Sequence, residues 1–226
     1  MAISIIIPLF NRYELTAACL ESIHFHSPGH QIILVDNGST DPTRFSNVTI
    51  RNDENRGFAV ACNQGAQAAD NEHLVFLNND TLVHQNWLAF TRHLYRPEVG
   101  CVGPKLIYPS GRIQSAGIGI NFDRAPGHEA FNLHRDWASE AVAVAAVTGA
   151  CLAIRADLFD KLGGFDTEYW NGYEDVDLCL AATAAGYSNY YDPLSKVTHL
   201  ESQSGPERWT AVGANVDRLR HKWSPK

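Results

Sequence analysis

The sequence predicts a single α/β domain with a mostly parallel central sheet flanked by helices. Short apolar runs alternate with helical patterns through the first half of the chain, the arrangement typical of βαβ units. The first such run, residues 3–9, is continuous and rich in isoleucine, as in a strand buried on both faces. No repeat, low-complexity tract or linker interrupts the 226 residues, so we expect one domain over 1–226.

The first half of the chain contains four predicted strands and three predicted helices. The strands are short apolar runs, and the helices place apolar residues three and four positions apart. The predicted strands are residues 3–9, 31–36, 48–52 and 73–78, and the predicted helices are residues 15–23, 58–69 and 87–94.

The second half has a different rhythm, with longer apolar runs and a polar interruption. Its predicted strands are residues 99–108, 117–121, 142–154 and 188–191, and its predicted helices are a short one closed by Gly163-Gly164, then 174–185 and 208–223. Residues 123–139, which include Arg124 and His128, follow neither period. Long loops inside compact domains are commonly lids or binding loops, so we expect a mobile loop that closes over a ligand.

Composition excludes several classes of protein. The 18 lysine and arginine residues against 25 aspartate and glutamate residues give a formal charge of −7, which argues against binding to nucleic acid. Five scattered cysteines with no C-x-x-C pair indicate reduced thiols rather than disulfides or zinc ligands. Neither a signal peptide nor an apolar run of membrane-spanning length is present. We therefore expect a cytoplasmic protein with at most a peripheral membrane contact at the inner face.

Polar residues follow the predicted parallel strands, where α/β sheets bind their ligands. Residues 8–12, 36–41 and 78–81 end strands one, two and four, and we expect them to share one rim. There is no G-x-G-x-x-G after the first strand, no P-loop and no G-x-S-x-G elbow. Dinucleotide binding, P-loop hydrolysis and serine hydrolysis therefore fit poorly.

Seven segments in order resemble a known family. They are SIIIPLFNR, VDNGSTD, NRGFAVACNQG, FLNNDT, TGACLAIRADLF, GGFDTEYWNGYEDVDLCLAATAAGY and THLESQS. Together they look like a family 2 glycosyltransferase of the rhamnosyltransferase-like subgroup, and the resemblance runs from residue 3 to about residue 204. It implies a GT-A-type fold with a sugar-donor half, 1–108, and an acceptor half, 109–226. It also implies a nucleotide-diphospho-sugar donor, a divalent metal and inversion at the anomeric carbon.

The resemblance assigns several residues to the nucleotide-sugar. Asp36 matches the carboxylate that binds the base or ribose, and a carboxylate can accept two hydroxyl protons at once. Gly57 and Asn63 match a segment that begins the helix under the donor, where glycine permits close approach of the backbone. Pro8 and Asn11, at the end of the first strand, are expected on the same side.

Asn78-Asn79-Asp80 stands where the family has its acidic metal motif. Only its third position is a carboxylate, so Asp80 is expected to be the main ligand of Mg²⁺ or Mn²⁺, with Asn79 on the donor side. Diphosphate oxygens and waters would complete such a sparse site. His199 matches a late histidine that completes the site in some relatives, and an imidazole suits Mn²⁺ better than Mg²⁺. A lone histidine is also commonly structural.

The Glu174-Asp175 pair opens a predicted helix. Acids are favoured at a helix start in any case, because the helix dipole is positive there. The resemblance implies that Asp175 is the general base towards the acceptor hydroxyl. Neighbouring helical positions differ by about 100°, so Glu174 would orient the acceptor or a cation instead.

The sequence thus predicts a metal-dependent inverting glycosyltransferase. Its partners would be a nucleotide-diphospho-sugar and a glycan or lipid-linked glycan acceptor, in the synthesis of a cell-envelope polysaccharide. One alternative is a catalytically weak sugar-nucleotide-binding domain of a larger polysaccharide-assembly protein, suggested by the single acid of the metal motif. A nucleotidyltransferase is a poorer alternative, because the Glu-Asp helix has no evident use there.

Overall fold

The structure is a computed structural model that describes residues 2–41, 47–123, 125–201 and 210–224. Within these ranges the chain forms twelve strands, five α-helices and a 3₁₀ helix. The strands are β1 (Ser4–Leu9), β2 (Gln31–Asn37), β3 (Ile50–Asn52), β4 (His73–Leu77), β5 (Thr81–Val83), β6 (Val99–Ile107), β7 (Ile113–Ser115), β8 (Ile118–Gly119), β9 (Gly127–His128), β10 (Val142–Val144), β11 (Cys151–Arg155) and β12 (Ser188–His199). The helices are α1 (Tyr13–His26), α2 (Phe58–Gln67), α3 (Ala156–Leu162), α4 (Glu174–Ala184) and α5 (Val212–Trp223), and the 3₁₀ helix spans Ala89–Tyr95.

Ten strands form one sheet in the order β10-β12-β6-β11-β4-β1-β2-β3, with β5 beside β12 and β7 beside β6. β1 lies in parallel between β2 and β4, whereas β11 runs antiparallel to β4 and β6. β8 and β9 form a separate two-stranded ribbon. The predicted α/β fold with a largely parallel central sheet is confirmed.

Both faces of this sheet are buried, as the continuous apolar run of β1 predicts. Ile5 and Ile7 pack with α1 and the 3₁₀ helix on one face, and Ile6 packs with α2, α3 and α4 on the other. Each fully buried branched side chain contributes about 1.5–3 kcal/mol. Contact on the second face is so close that a Cβ atom on Gly65 of α2 would lie 2.4 Å from Ile6 Cγ2. This packing brings the first turn of α2 to the carboxyl edge of β1 and β2.

The single strand predicted over residues 142–154 is wrong in its middle. β10 lies at the sheet edge and β11 lies in the interior, and residues 145–150 connect them. Ala146 leaves the main sheet to form a bridge with Ile118. An apolar run cannot show this change of partner, because the residues of β10 are as apolar as those of β11 although they are exposed or half-buried at the sheet edge.

Two other element predictions also differ from the structure. The strand predicted over 188–191 continues to His199, because a shift of register between Asp192 and Lys196 absorbs the proline of that segment as a bulge. The helix predicted over 87–94 is a 3₁₀ helix whose Phe90 N–H donates to Ser195 Oγ on β12, at 2.8 Å. β12 pairs with β6 along its added length and the 3₁₀ helix is bound to β12, so each element has its partner in a segment distant in sequence.

The remaining predicted elements are present with shifted ends. Residues 208 and 209 of the last predicted helix lie outside the described residues. Residues 210 and 211 form a turn, and α5 covers the remainder of the prediction. Arg124 of the predicted loop also lies outside them. Over the ranges that the structure describes, no helix combines the length and the apolar character needed to cross a bilayer.

Candidate active site

A cavity of about 430 Å³ opens at the carboxyl edge of the parallel strands, where α/β sheets bind ligands. The ends of β1, β2, β4 and β12 and the start of α4 all contribute to its lining. Six residues predicted from the sequence line it: Pro8, Asn79, Asp80, Glu174, Asp175 and His199. The fold therefore brings the expected metal ligands and the expected base to one cavity.

The other four predicted residues, Asn11, Asp36, Gly57 and Asn63, are not among its lining residues. The carboxylate of Asp36 is 2% exposed and is held by protein groups. Its Oδ1 accepts the Ser39 N–H at 2.9 Å, and its Oδ2 pairs with the Arg51 guanidinium. A nucleoside contact to Asp36 stays a prediction, and the nucleoside would have to share this carboxylate with Arg51.

Asn11 connects the end of β1 to the turn after β2. Its Oδ1 accepts from the Thr40 backbone N–H and from the Thr40 hydroxyl, each at 3.0 Å. Its own backbone N–H donates to Ser39 Oγ at 2.8 Å. Asn11 thus shapes the rim beside the cavity.

Asn37, which sequence reasoning missed, organises the start of α2. Its Nδ2 donates to Asn55 Oδ1 at 2.9 Å and to the Gly57 carbonyl at 3.1 Å, and its Oδ1 accepts from the Arg56 N–H at 3.1 Å. Gly57 has a φ of 84°, which favours glycine, and it precedes the first residue of α2. Asn37 and Asn55 line the cavity, so the first turn of α2 is fixed beside it.

Asn63 is directed elsewhere. Its Nδ2 donates to the Phe165 carbonyl at 2.8 Å, and its Oδ1 accepts the Phe165 N–H at 2.9 Å. These two hydrogen bonds attach α2 to the turn after α3. The structure thus gives Asn63 a packing role and does not bring it to the cavity.

Asp80 and His199 lie against each other across an antiparallel pair of strands. His199 is opposite Thr81 in the register of β12 and β5. Asp80 Oδ1 is 3.0 Å from His199 Nε2, and the two residues are each 6% exposed. An aspartate oxygen and an imidazole nitrogen are suitable ligands for Mn²⁺. In the part of the chain that the structure describes, no three His, Cys, Asp or Glu side chains are grouped to hold a metal, so other ligands would have to come from the substrate and water.

Asp175 also lines the cavity, and both of its carboxylate oxygens accept hydrogen bonds from the backbone. Oδ2 accepts the Gly149 N–H at 2.7 Å and Oδ1 accepts the Val176 N–H at 2.8 Å. Burial raises the pKa of Asp175, and these two hydrogen bonds and the nearby His128 partly oppose that rise. A base works best when its pKa lies near the working pH, so a raised pKa suits this role.

Glu174 supports the turn that precedes Asp175. It is 5% exposed, and its Oε2 accepts the Gly172 N–H at 2.7 Å. Asn171 and Tyr173 in this turn have positive φ angles of 49° and 73°. Asn171 Oδ1 also accepts the Phe58 N–H at 2.9 Å, so this turn joins the start of α4 to the start of α2.

The segment predicted as a loop reaches the cavity. Pro126, Gly127 and His128 line it, and His128 Nδ1 lies 3.0 Å from Ser115 Oγ. The exposed stretch beyond them, residues 131–137, is tied down by Lys105, whose Nζ donates to the carbonyls of residues 135 and 137 at 2.8 and 2.7 Å. Its position beside the cavity agrees with the predicted binding loop, and its closure stays a prediction.

Several lining residues were given no role from the sequence, although all of them except Gln114 lie inside the segments that resemble the family. They are Asn37, Asn55, Gln114, Asn171, Tyr173 and Glu201. An Asn-Gly pair marks the turn at Asn171, which is a usable turn signal. Gln114 lies in a short edge strand with no motif, and no pattern could have identified it.

Comparison with known proteins identifies related sequences. The sequence model described as "Glycosyl transferase family 2" matches residues 4–163. The protein y4gI of Sinorhizobium fredii is 33% identical over 98% of this chain and 27% of its own length. The O-antigen biosynthesis protein RfbC of Myxococcus xanthus is 31% identical over 89% of this chain and 17% of its own length. The N-acetylglucosaminyl-diphospho-decaprenol L-rhamnosyltransferase of Mycobacterium tuberculosis is 30% identical over 76% of this chain and 67% of its own length.

The chain spans about a quarter of the length of the first of these relatives and about a sixth of the length of the second.

Solved structures show the same fold. GalNAc-T7, solved with UDP, GalNAc and Mn²⁺, superposes with a TM-score of 0.77 at 20% identity over 97% of this chain and 48% of its own. The mannosyltransferase PcManGT of Pyrobaculum calidifontis, solved with GDP-Man and Mn²⁺, superposes with a TM-score of 0.72 at 20% identity over 99% of this chain and 65% of its own. At this level of identity they establish the fold alone, and they confirm the expected GT-A-type fold.

Proposed function

The chain belongs to glycosyl transferase family 2, and on that premise we propose that it is a metal-dependent inverting glycosyltransferase. It would move a sugar from a nucleotide-diphospho-sugar to an acceptor hydroxyl. One observation carries the proposal: Asp175 and the Asp80–His199 pair line the same cavity. A base for the acceptor and a cation site for the leaving diphosphate are the two groups that a direct displacement requires.

Asp175 acts as the base in this proposal. Its oxygens are fixed by the Gly149 and Val176 N–H groups, so the carboxylate is oriented before the acceptor arrives. Each oxygen keeps a second lone pair that can accept the acceptor's hydroxyl proton. General-base catalysis of this kind contributes about 10²–10⁴-fold to the rate.

Asp80 and His199 would hold a divalent cation through Oδ1 and Nε2, which are 3.0 Å apart. When bound, such an ion neutralises the charge that develops on the departing nucleoside diphosphate. Both side chains are largely buried in the cavity wall, and the Asn79 amide is anchored by donating to Thr16 Oγ1 at 2.9 Å. The donor set suits Mn²⁺ and accepts Mg²⁺.

The names of the relatives support a role in cell-envelope polysaccharide synthesis. RfbC is named for O-antigen biosynthesis, and the mycobacterial relative is named for transfer to a lipid-linked diphosphate acceptor. We therefore propose a glycan or lipid-linked glycan acceptor. All five cysteines are free and buried, which fits the reducing cytoplasm, where nucleotide-sugars would be met.

The experiment measures nucleoside diphosphate release from UDP-, GDP- and dTDP-sugars, with Mn²⁺ and with chelator. We expect slow metal-dependent release from one donor class, with the Asp175→Asn variant as a control that binds the donor but releases little. If the chain binds nucleoside diphosphate but cleaves none of these donors, it is instead the catalytically weak sugar-nucleotide-binding domain considered above. Thermal shift reports binding, because a ligand at 100 times its Kd stabilises by about 2.7 kcal/mol.

A further inference from the structure

His199 has a partner at each ring nitrogen. Nδ1 lies 2.7 Å from Gln114 Oε1, and Nε2 lies 3.0 Å from Asp80 Oδ1 and 3.3 Å from Asn78 Nδ2. Gln114 is 2% exposed and lies in β7. Both β7 and β12 pair with the end of β6. The imidazole is therefore enclosed, and its partners determine which nitrogen carries the proton.

The Gln114 carbonyl oxygen can only accept a hydrogen bond, so the neutral imidazole must carry its proton on Nδ1. Nε2 then keeps its lone pair, and the Asn78 amide is placed to donate to it. Nε2 also lies 3.0 Å from Asp80 Oδ1, so a second proton on the ring would be donated to that carboxylate. A divalent cation would replace this second proton and accept an electron pair from each of the two atoms, while Nδ1 keeps the first proton.

The opposite arrangement would close the site. If residue 114 presented a donor to Nδ1, the ring proton would move to Nε2 and be donated to Asp80. Both ligand atoms would then be occupied by one hydrogen bond. Among the described residues, Gln114 Nε2 has no hydrogen-bond partner, and leaving such a buried donor unpaired costs about 1–3 kcal/mol. The fold tolerates that cost at a position where the amide oxygen has a function.

We propose that Gln114 is a positioning residue that holds His199 with its proton on Nδ1, so that Nε2 is ready to bind a divalent cation beside Asp80. The inference rests on the metal site of the proposed function and adds to it a residue outside every recognised motif. Outer partners of metal-binding histidines generally act in this way, and their loss lowers metal affinity about 10–100-fold.

The first measurement needs no substitution. The ¹⁵N chemical shifts of the His199 ring in the metal-free full chain identify which nitrogen carries the proton. We expect the neutral His199 ring to carry its proton on Nδ1. A neutral ring with its proton on Nε2 in the wild-type chain overturns the proposal.

The second measurement compares variants by calorimetry of UDP and GDP binding with and without Mn²⁺. Gln114→Met has nearly the same volume but no acceptor, and we expect its His199 proton on Nε2 and a loss of about 10–100-fold in Mn²⁺-dependent affinity. Gln114→Glu keeps an acceptor and should retain both properties. Gln31→Met, at a glutamine of β2 far along the sheet from β7, controls for removal of an amide.

His199→Ala separates the two proposals. If His199→Ala leaves nucleotide binding with Mn²⁺ unchanged, the metal assignment of the proposed function fails. If His199→Ala weakens that binding while Gln114→Met keeps the proton on Nδ1 and the wild-type affinity, only the inference about Gln114 is overturned.

Discussion

Three neighbouring acids of α4 have three different surroundings. Asp175 faces the cavity, Glu174 accepts a hydrogen bond from the turn before it, and Asp177 is directed to α5. Asp177 Oδ1 accepts from Trp223 Nε1 at 2.7 Å, and its Oδ2 accepts from Lys222 Nζ at 2.9 Å. Side-chain direction, rather than residue type, therefore separates the expected base from an acid that anchors a helix.

Replacing Asp175 by asparagine should lower transfer by about 10²-fold or more, because the base is removed. Asparagine keeps one acceptor for the two backbone N–H groups and removes a carboxylate whose burial raises its pKa. We therefore expect the free energy of unfolding to change by only about 1 kcal/mol. Steady-state transfer and thermal unfolding of the variant check both expectations.

The raised pKa of Asp175 also predicts how the transfer rate and the stability depend on pH. The base acts without its proton, so the wild-type rate should rise with pH through the pKa of Asp175, which lies above the ordinary value of 3.8. The folded state holds this proton more tightly than the unfolded chain, so ionisation of Asp175 lowers stability as pH rises through that pKa. Near-normal transfer by Asp175→Asn, or the same acid limb in its pH profile, would remove Asp175 from the base role.

Replacing Asp80 by alanine should abolish most of the Mn²⁺ dependence of nucleoside diphosphate binding. Asp80 is the carboxylate of its motif and lies 3.0 Å from His199 Nε2. Calorimetry of diphosphate binding with and without Mn²⁺ measures the effect. Asp160→Ala, at an exposed acid of α3, is the matched control. Equal diphosphate affinity in Mn²⁺ for Asp80→Ala and the wild type would show that the metal assignment is wrong.

At the scale of elements, the segment 123–139 joins the cavity to the surface. Its inner part lines the cavity and pairs with β8, and its outer part, 131–137, is exposed. We predict that it closes over bound donor or acceptor, because a lid beside the cavity excludes water, and the hydrogen bonds from Lys105 to its outer part would have to rearrange. Hydrogen exchange should slow across its described residues on addition of nucleoside diphosphate, Mn²⁺ and acceptor. If hydrogen exchange across this segment is unchanged at saturating ligand and acceptor, the segment is a surface loop without a role in binding.

Helix α5 holds the turn that precedes the base. Asn215 is 4% exposed, and its Nδ2 donates to the carbonyls of Trp170 and Gly172 at 3.0 and 2.9 Å. Its Oδ1 also accepts the Trp170 N–H at 3.3 Å. Because this turn contains non-glycine residues with positive φ, which costs about 1–2 kcal/mol each, it needs such external support.

Asn215→Ala should therefore lower transfer about tenfold, since the turn before Asp175 loses its support, while the sugar donor still binds. We also expect a loss of about 1–3 kcal/mol in the free energy of unfolding, because buried carbonyls lose their donor. Initial rates, donor titration and thermal unfolding test this. Asp217→Ala, on the exposed face of the same helix, should leave all three near wild type.

At the scale of the molecule, the two halves named in the sequence cannot be separated. β11 belongs to the second half, 109–226, yet it lies between β4 and β6 of the first. β12, from the second half, also pairs with β6 along most of its length. The sugar-donor and acceptor halves therefore share one sheet.

We predict that the full chain unfolds in one calorimetric transition and that a fragment of residues 1–108 is unfolded. Without β11 the fragment would leave the facing edges of β4 and β6 unpaired and uncovered, at a cost that its remaining apolar contacts do not offset. Differential scanning calorimetry of the chain and circular dichroism of the fragment measure this. Two resolved transitions, or a folded fragment, would contradict it.

Local patterns were sufficient for much of this protein. The apolar runs of β1, β2 and β4, the polar residues after them and the acids of α4 all depend on near neighbours, and the structure has them as expected. Pairings between distant segments could not be read in this way. The course of residues 142–154 and the length of β12 were mispredicted, because both depend on which strand lies alongside.

By itself the sequence indicated the α/β fold through its local burial periods, the family through the resemblance of seven ordered segments, and a set of candidate residues for the chemistry. Only the tertiary structure decided which of those residues meet. It directed Asn63 to Phe165 and Asp177 to α5, and it placed Gln114 against His199. The physical reason is that a hydrogen bond acts over about 3 Å in space, whatever the separation along the chain. Partners therefore become known only when the strands that carry them are packed side by side.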